Sequence, residues 1–218
     1  MKTFKKNVGF KNFIFEQPKQ LTPQFCEHLI DLYENHPRSI ELRNPGETIG
    51  FKGPDALRVK QSEDLIISGI PEFKNEDKIL EVSLSKFLRN YIDYLSKTFH
   101  SSYNDLERYN YEDSGFQIQK TTPGGFYNWH QDAFETRFFT YIYYLNDIKN
   151  KGETQFANGL KIKPKQGKAL MFPATWEYVH RGIAPKDEIK YIATGWIKVI
   201  YANPNNSLEQ NLELTEQI

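Results

Sequence analysis

Two stretches in the first half of the chain place apolar residues at helical spacing. In "LTPQFCEHLIDLYENHP", Phe25, Leu29, Leu32 and Tyr33 fall on one face. Thr22 stands at the N-cap, Pro23 at the first helical position, and Pro37 ends the pattern. The second stripe is longer: Leu80, Leu84, Phe87, Leu88, Tyr91, Leu95 and Phe99, after acidic residues that suit a helix N-terminus. Between the two, "RNPGETIGFKGPDALRVKQSED" is rich in Gly, Pro and charge and reads as a long loop at about residues 44–64. Loops of that length in compact domains commonly serve as lids or binding loops.

The texture changes after about residue 113, to short runs that alternate or are rich in β-branched and aromatic residues. Strands are expected in "GFQIQKTT", "NWHQDAF", "RFFTYIYYLN", "TQFA", "LKIKPKQ", "KALMFP" and "KYIATGWIKVIY". Turn-like breaks such as "TPGG", "NDIKNKGE" and "APKDE" separate them. The expected organisation is one domain over 1–218: a helical support region at 1–112, an antiparallel β sandwich or barrel at 113–201, and a polar tail at 202–218. There are no internal repeats.

The chain has 218 residues, 39% apolar and 15% aromatic, enough for one substantial core. Lys plus Arg and Asp plus Glu each number 28, so the formal charge is zero, with no electrostatic footprint for nucleic acid or an anionic membrane. No apolar run approaches the ~20 residues of a membrane span, and "MKTFKKNVGFKNFIF" lacks the uninterrupted apolar stretch of a signal peptide. A soluble, cytoplasmic protein is therefore expected. The single cysteine, Cys26, excludes an internal disulfide and a Cys-based zinc knuckle.

Candidate chemistry begins at "FYNWHQDAF". On a strand, His130 and Asp132 share a face and Gln131 points away. Such a tripeptide is more often an ordinary surface pair, so a third ligand decides its interest. His28 and His36 belong to the first helix and its end, and His100 closes the second, where solvated or capping roles suffice. His180 lies in the β region, and two His with one Asp are the ligand set of the facial triad of non-haem Fe(II). Ten residues later, alternation places Lys190, Ile192 and Thr194 on one strand face. A lysine and a threonine there can grip a buried carboxylate, such as the far end of 2-oxoglutarate, or simply face water.

His130-x-Asp132, His180 and Lys190, with "YYLND", "GETQF" and "GKALMFP" between them, resemble the 2-oxoglutarate/Fe(II)-dependent oxygenases of the prolyl 4-hydroxylase-like branch. The resemblance covers residues 116–198. It implies a mainly β fold, a double-stranded β-helix (jelly-roll) core packed against N-terminal α-helices. It implies iron ligands His130, Asp132 and His180, and a 2-oxoglutarate site formed by Lys190, Tyr144 and Thr194. Fe(II), 2-oxoglutarate and O2, with ascorbate as a further reductant, would serve the hydroxylation of an unactivated C–H bond. The first expected substrate is a prolyl residue in a peptide or protein, or a free amino acid, with succinate and CO2 as co-products. The carboxylate ligand Asp132 favours hydroxylation over halogenation within the class.

Many relatives carry a tyrosine nine or ten residues before the first His ligand; here those positions are Thr121 and Lys120, and Gln119 or Lys120 is the candidate replacement. Arg137, Tyr127, Trp129 and Trp176 are candidates for lining the substrate mouth. Arg181 beside His180 could meet an acidic substrate group or only water, and "GETQF" reads as a structural turn and strand. Two other classes compete: a zinc hydrolase on the same His/Asp/His set, which has no use for Lys190, and a non-catalytic jelly-roll binding module.

Overall fold

The computed structural model describes residues 9–48 and 53–200. The first part of the chain holds β1 (Phe15–Gln17), α1 (Pro23–Asn35), α2 (Pro37–Leu42), β2 (Asn44–Pro45), α3 (Ala56–Val59), β3 (Glu63–Ile66) and α4 (Lys74–Thr98). Then come β4 (Tyr111–Asp113), β5 (Gln117–Thr121), β6 (Tyr127–His130), β7 (Arg137–Tyr144) and β8 (Thr154–Phe156). The last described elements are β9 (Lys161–Ile162), β10 (Ala169–Pro173), β11 (His180–Gly182) and β12 (Lys190–Val199).

An eight-stranded sheet runs β1-β10-β7-β12-β5-β3-β2, with β4 also pairing β12; a four-stranded sheet runs β6-β11-β8-β9. Every pairing is antiparallel. From β5 onward the chain crosses back and forth between the two sheets, which is the winding of a jelly roll. The architecture is mainly β with flanking helices, as expected.

Period-two alternation divides two cores. Tyr141 and Tyr143 of β7, Ala193 of β12 and Ile118 of β5 face outward onto Leu29 and Tyr33 of α1 and Phe87 and Tyr91 of α4. Ile142, Tyr144, Phe172 and Ile192 face inward between the sheets, onto Phe156 and Tyr178. Burying one such side chain stabilises by roughly 1.5–3 kcal/mol, so this shared core binds the helices to the sheet. The Thr22 hydroxyl caps α1, accepting from the Phe25 N–H at 3.2 Å. Gly195 is required where β12 crosses β7, because a Cβ there would lie 2.4 Å from the Tyr141 hydroxyl.

Three expectations change. The region 1–112 is not only helical, since β1, β2 and β3 extend the large sheet at both edges. The segment 44–64 is not a bare loop: it holds β2, a 3₁₀ turn at Gly53–Asp55, α3 and the start of β3. The strand in "NWHQDAF" stops at His130, so Asp132 lies beyond it. The tail 202–218 lies outside the described residues. Among those described, no helix is long and apolar enough to cross a membrane.

Candidate metal centre and its cavity

Strand pairing places the two histidines. β11 lies between β6 and β8, and its register sets His180 directly opposite His130. Their ring centroids are 4.2 Å apart. Asp132 arrives by a different route from the shared strand face expected. After β6 the chain turns, the Gln131 side chain accepting from the Ala133 N–H at 2.6 Å, and Asp132 points inward. There the Thr140 hydroxyl of β7 donates to its Oδ2 at 2.7 Å. His130 Nε2 is 3.8 Å from Asp132 Oδ1 and His180 Nε2 is 3.7 Å from Oδ2. One ligand atom from each of the three lies within 4.8 Å of the others, the one such His/Cys/Asp/Glu group among the described residues.

The hydrogen bonds select the tautomers. His130 Nδ1 faces the Asn128 carbonyl at 2.8 Å and His180 Nδ1 the Tyr178 carbonyl at 3.0 Å. A carbonyl only accepts, so each Nδ1 carries a proton, and each Nε2 is the nitrogen turned toward Asp132. Burial, then the His180 ring, push the His130 pKa down and keep it neutral. Burial pushes Asp132 up, but His180, His130 and the Thr140 hydroxyl outweigh it and hold the group below its usual range. Two imidazole nitrogens and one carboxylate, converging without a protein cation between them, are a donor set that fits a divalent transition metal.

The centre opens into a cavity of about 540 Å³, in the range of small-molecule sites. Lys190, Ile192 and Thr194 all line it, as alternation on β12 requires. Lys190 is 5% exposed, and its ammonium donates to the Gly152 carbonyl at 3.2 Å. Burial pushes its pKa down to about 8. Gly152 turns that carbonyl inward from a left-handed conformation, φ 80°, that favours glycine.

Residues 116–198 match the family model of the 2OG-Fe(II) oxygenase superfamily. The matched segment carries His130, Asp132, His180 and Lys190, and it supports a 2-oxoglutarate-dependent non-haem iron dioxygenase over the zinc-hydrolase and binding-module alternatives. No curated protein matches the sequence. Among solved structures, the viral collagen prolyl hydroxylase of Paramecium bursaria Chlorella virus-1 in its 2-oxoglutarate complex shares 20% identity, covering 86% of this chain and 97% of that one, with a TM-score of 0.57. A Pseudomonas putida prolyl-4-hydroxylase shares 17%, covering 85% and 92%, with a TM-score of 0.61. A Trichoplax adhaerens prolyl hydroxylase in complex with a hypoxia-inducible-factor peptide fragment shares 18%, covering 86% and 84%, with a TM-score of 0.65. At these identities the likeness is one of fold.

The other candidate residues are spread unequally around the cavity. Tyr127 stacks on His130 at 3.6 Å and 13°, and lines the cavity with Trp129 and Arg137. The Arg137 guanidinium lies 3.5 Å from the centroid of Trp196. Trp176 is 71% exposed and is not among the lining residues. Thr194 donates to the Tyr141 carbonyl at 2.7 Å. Tyr144 is buried behind the wall and donates to Thr154 Oγ1 at 2.8 Å, and it is Thr154 that lines the cavity. Gln119 lines it too, whereas Lys120 faces outward to Glu34 at 2.7 Å. Arg181 donates twice to Gln155 Oε1, at 2.9 and 2.7 Å, and covers Trp129. Thr140, Thr154, Trp196 and Lys60 also border the cavity without having stood out in the sequence. Thr140 alone left a signal there, as a polar residue in phase with Ile142 and Tyr144 on an otherwise aromatic strand.

Proposed function

We propose that this protein hydroxylates an unactivated C–H bond of a prolyl residue in a peptide or protein, or of a free amino acid, with succinate and CO2 as co-products. In this reading His130 Nε2, Asp132 and His180 Nε2 hold Fe(II), and Lys190 receives the far carboxylate of 2-oxoglutarate. The observation that carries it is the Lys190 ammonium. It is buried in the cavity of the triad, and among the described residues no carboxylate lies within ion-pair distance of it. A buried ammonium satisfied by one carbonyl is costly until an anion joins it, and a dicarboxylate chelated at the metal supplies that anion.

Tyr144 enters through Thr154. Because the Tyr144 O–H donates to Thr154 Oγ1, the Thr154 proton is left to point into the cavity at the same carboxylate. Thr194 borders the other side, with its own proton engaged by Tyr141. When bound, iron with 2-oxoglutarate and O2 supplies the oxidising chemistry, ascorbate keeping the iron ferrous; the chain supplies orientation and a dry wall. Tyr127 and Trp196 are that wall, and Arg137, held flat by Trp196, presents N–H donors to a substrate carbonyl. The prolyl assignment draws on the prolyl hydroxylases of the same fold, and a cytoplasmic location belongs to the same reading. The zero formal charge favours a peptide or amino acid over nucleic acid.

The test is succinate formation by purified protein with Fe(II), 2-oxoglutarate, ascorbate and air, alone and with proline-containing peptides. Succinate is expected only with iron, to rise with an accepted peptide, and to accompany gain of one oxygen atom by that peptide. His180→Ala and Asp132→Ala are each expected to reduce it to the iron-free level. Iron-independent succinate, or none under any condition, would end the proposal.

A further inference from the structure

Lys60 has no place in the reading above, yet it is 3% exposed and borders the cavity. Its ammonium meets Asp64, 6% exposed, whose other oxygen accepts from the Ser62 hydroxyl at 2.8 Å. The same ammonium lies 5.2 Å from the centroid of the Tyr127 ring, and Tyr127 lies flat on the His130 imidazole at 3.6 Å. A buried cation, a phenol ring and an imidazole therefore form one stack. The neighbouring chain holds it in register: Lys60 and Tyr127 form an antiparallel bridge, the Gln61 N–H donates to the Phe126 carbonyl at 2.7 Å, and the Asn128 side-chain Nδ2 donates to the Arg58 carbonyl at 3.1 Å.

We infer that Lys60, paired with Asp64, is a positioning residue that holds the Tyr127 ring against His130 and so fixes the plane of that imidazole. His130 has one hydrogen bond, from Nδ1 to the Asn128 carbonyl, and a single bond leaves the ring free to tilt about it. Stacking removes that freedom. The ring of Tyr127 stays on the imidazole because it is also drawn to the buried Lys60 ammonium, an attraction that strengthens as water is excluded. Asp64 holds Lys60 in place, since a buried ammonium without a partner is costly and would reorient.

The inference rests on His130 being a metal ligand, so the probe is Co(II), titrated by visible absorption into full-length protein stripped with a chelator. Lys60→Met keeps the apolar stem without the charge and is expected to weaken Co(II) binding about tenfold, as loss of a group that orients a ligand does. Lys60→Arg should recover most of it. Because Lys60→Met strands a buried carboxylate, Lys60→Met/Asp64→Leu removes both partners and gives the same readout if the single variant does not fold. On a Tyr127→Leu background, Lys60→Met should add no further loss, because the ring through which it acts is gone. Variants that melt lower but take up Co(II) like the wild type, or an equal loss with and without Tyr127, would overturn the role of Lys60. Failure of the wild type to bind Co(II) would instead remove the metal assignment.

Discussion

Lys190 couples the cavity to pH. Burial pushes its pKa down from 10.5 to about 8, Glu153 opposing the shift. Pairing with a carboxylate needs the charged form, so 2-oxoglutarate should bind best below about 8 and weaken as pH rises through that value, by up to about tenfold per unit. Without the anion the sign is reversed for folding. The unfolded chain protonates this lysine first, so stability falls as pH drops from 10.5 toward about 8 and stays at that lower level below it. Lys190→Arg keeps its charge throughout and should flatten the binding profile. Calorimetric titration of 2-oxoglutarate into the Mn(II)-loaded wild type and Lys190→Arg, from about two units below that pKa to about one above it, measures the two binding profiles; a flat wild-type profile would remove Lys190 from the co-substrate site.

At the scale of elements, the large sheet and α4 share one apolar face, and the cavity lies on the other. Phe87, fully buried, stacks on Phe15 at 5.7 Å and tilts against Tyr143 at 6.2 Å, far side to the metal centre. Phe87→Ala should therefore cost about 3–5 kcal/mol in urea unfolding. Val82→Ala on the same helix, at a side chain 60% exposed, should stay within about 0.5 kcal/mol. Folded Phe87→Ala should bind 2-oxoglutarate like the wild type; weakened binding would mean the outer face supports the site more directly than its packing indicates. The stripe that carries Phe87 was legible because a 25-residue helix repeats its pattern many times. β12 was legible for the same reason, ten residues long and buried on both faces, which is why Lys190 and Thr194 could be set on one side of it. β1 and β2, with 3 and 2 residues, are too short for any period to appear, and only their pairing with β10 and β3 makes them strands. His130 and Asp132 were paired on a strand that ends between them, so their convergence comes from the turn and from Thr140. Lys60 left no trace, because its meaning lies in a contact with Tyr127 across 67 positions of sequence.

For the whole molecule, the question is whether the jelly roll stands without the first half of the chain. β1 pairs with β10 and β3 with β5, so both edges of the large sheet are finished by strands from outside the β-rich half. The Tyr91 hydroxyl of α4 donates to the Phe13 carbonyl at 2.7 Å, and Asn90 donates to Gln17 at 2.9 Å, tying helix, edge strand and sheet together. Removing these elements would bare Ile118, Phe139, Tyr141, Tyr143 and Ala193 on one continuous face and leave two strand edges unpaired. A face of that kind does not persist in water, and unpaired edges recruit one another. The full chain should unfold in one transition seen alike by near-ultraviolet circular dichroism and tryptophan fluorescence. Residues 113–200 expressed alone should aggregate or lack near-ultraviolet signal, and should take up no Co(II), although they carry His130, Asp132, His180 and Lys190. A soluble fragment with native-like spectra and Co(II) affinity would show instead that the helices are an addition to the catalytic core and not a part of its folding unit.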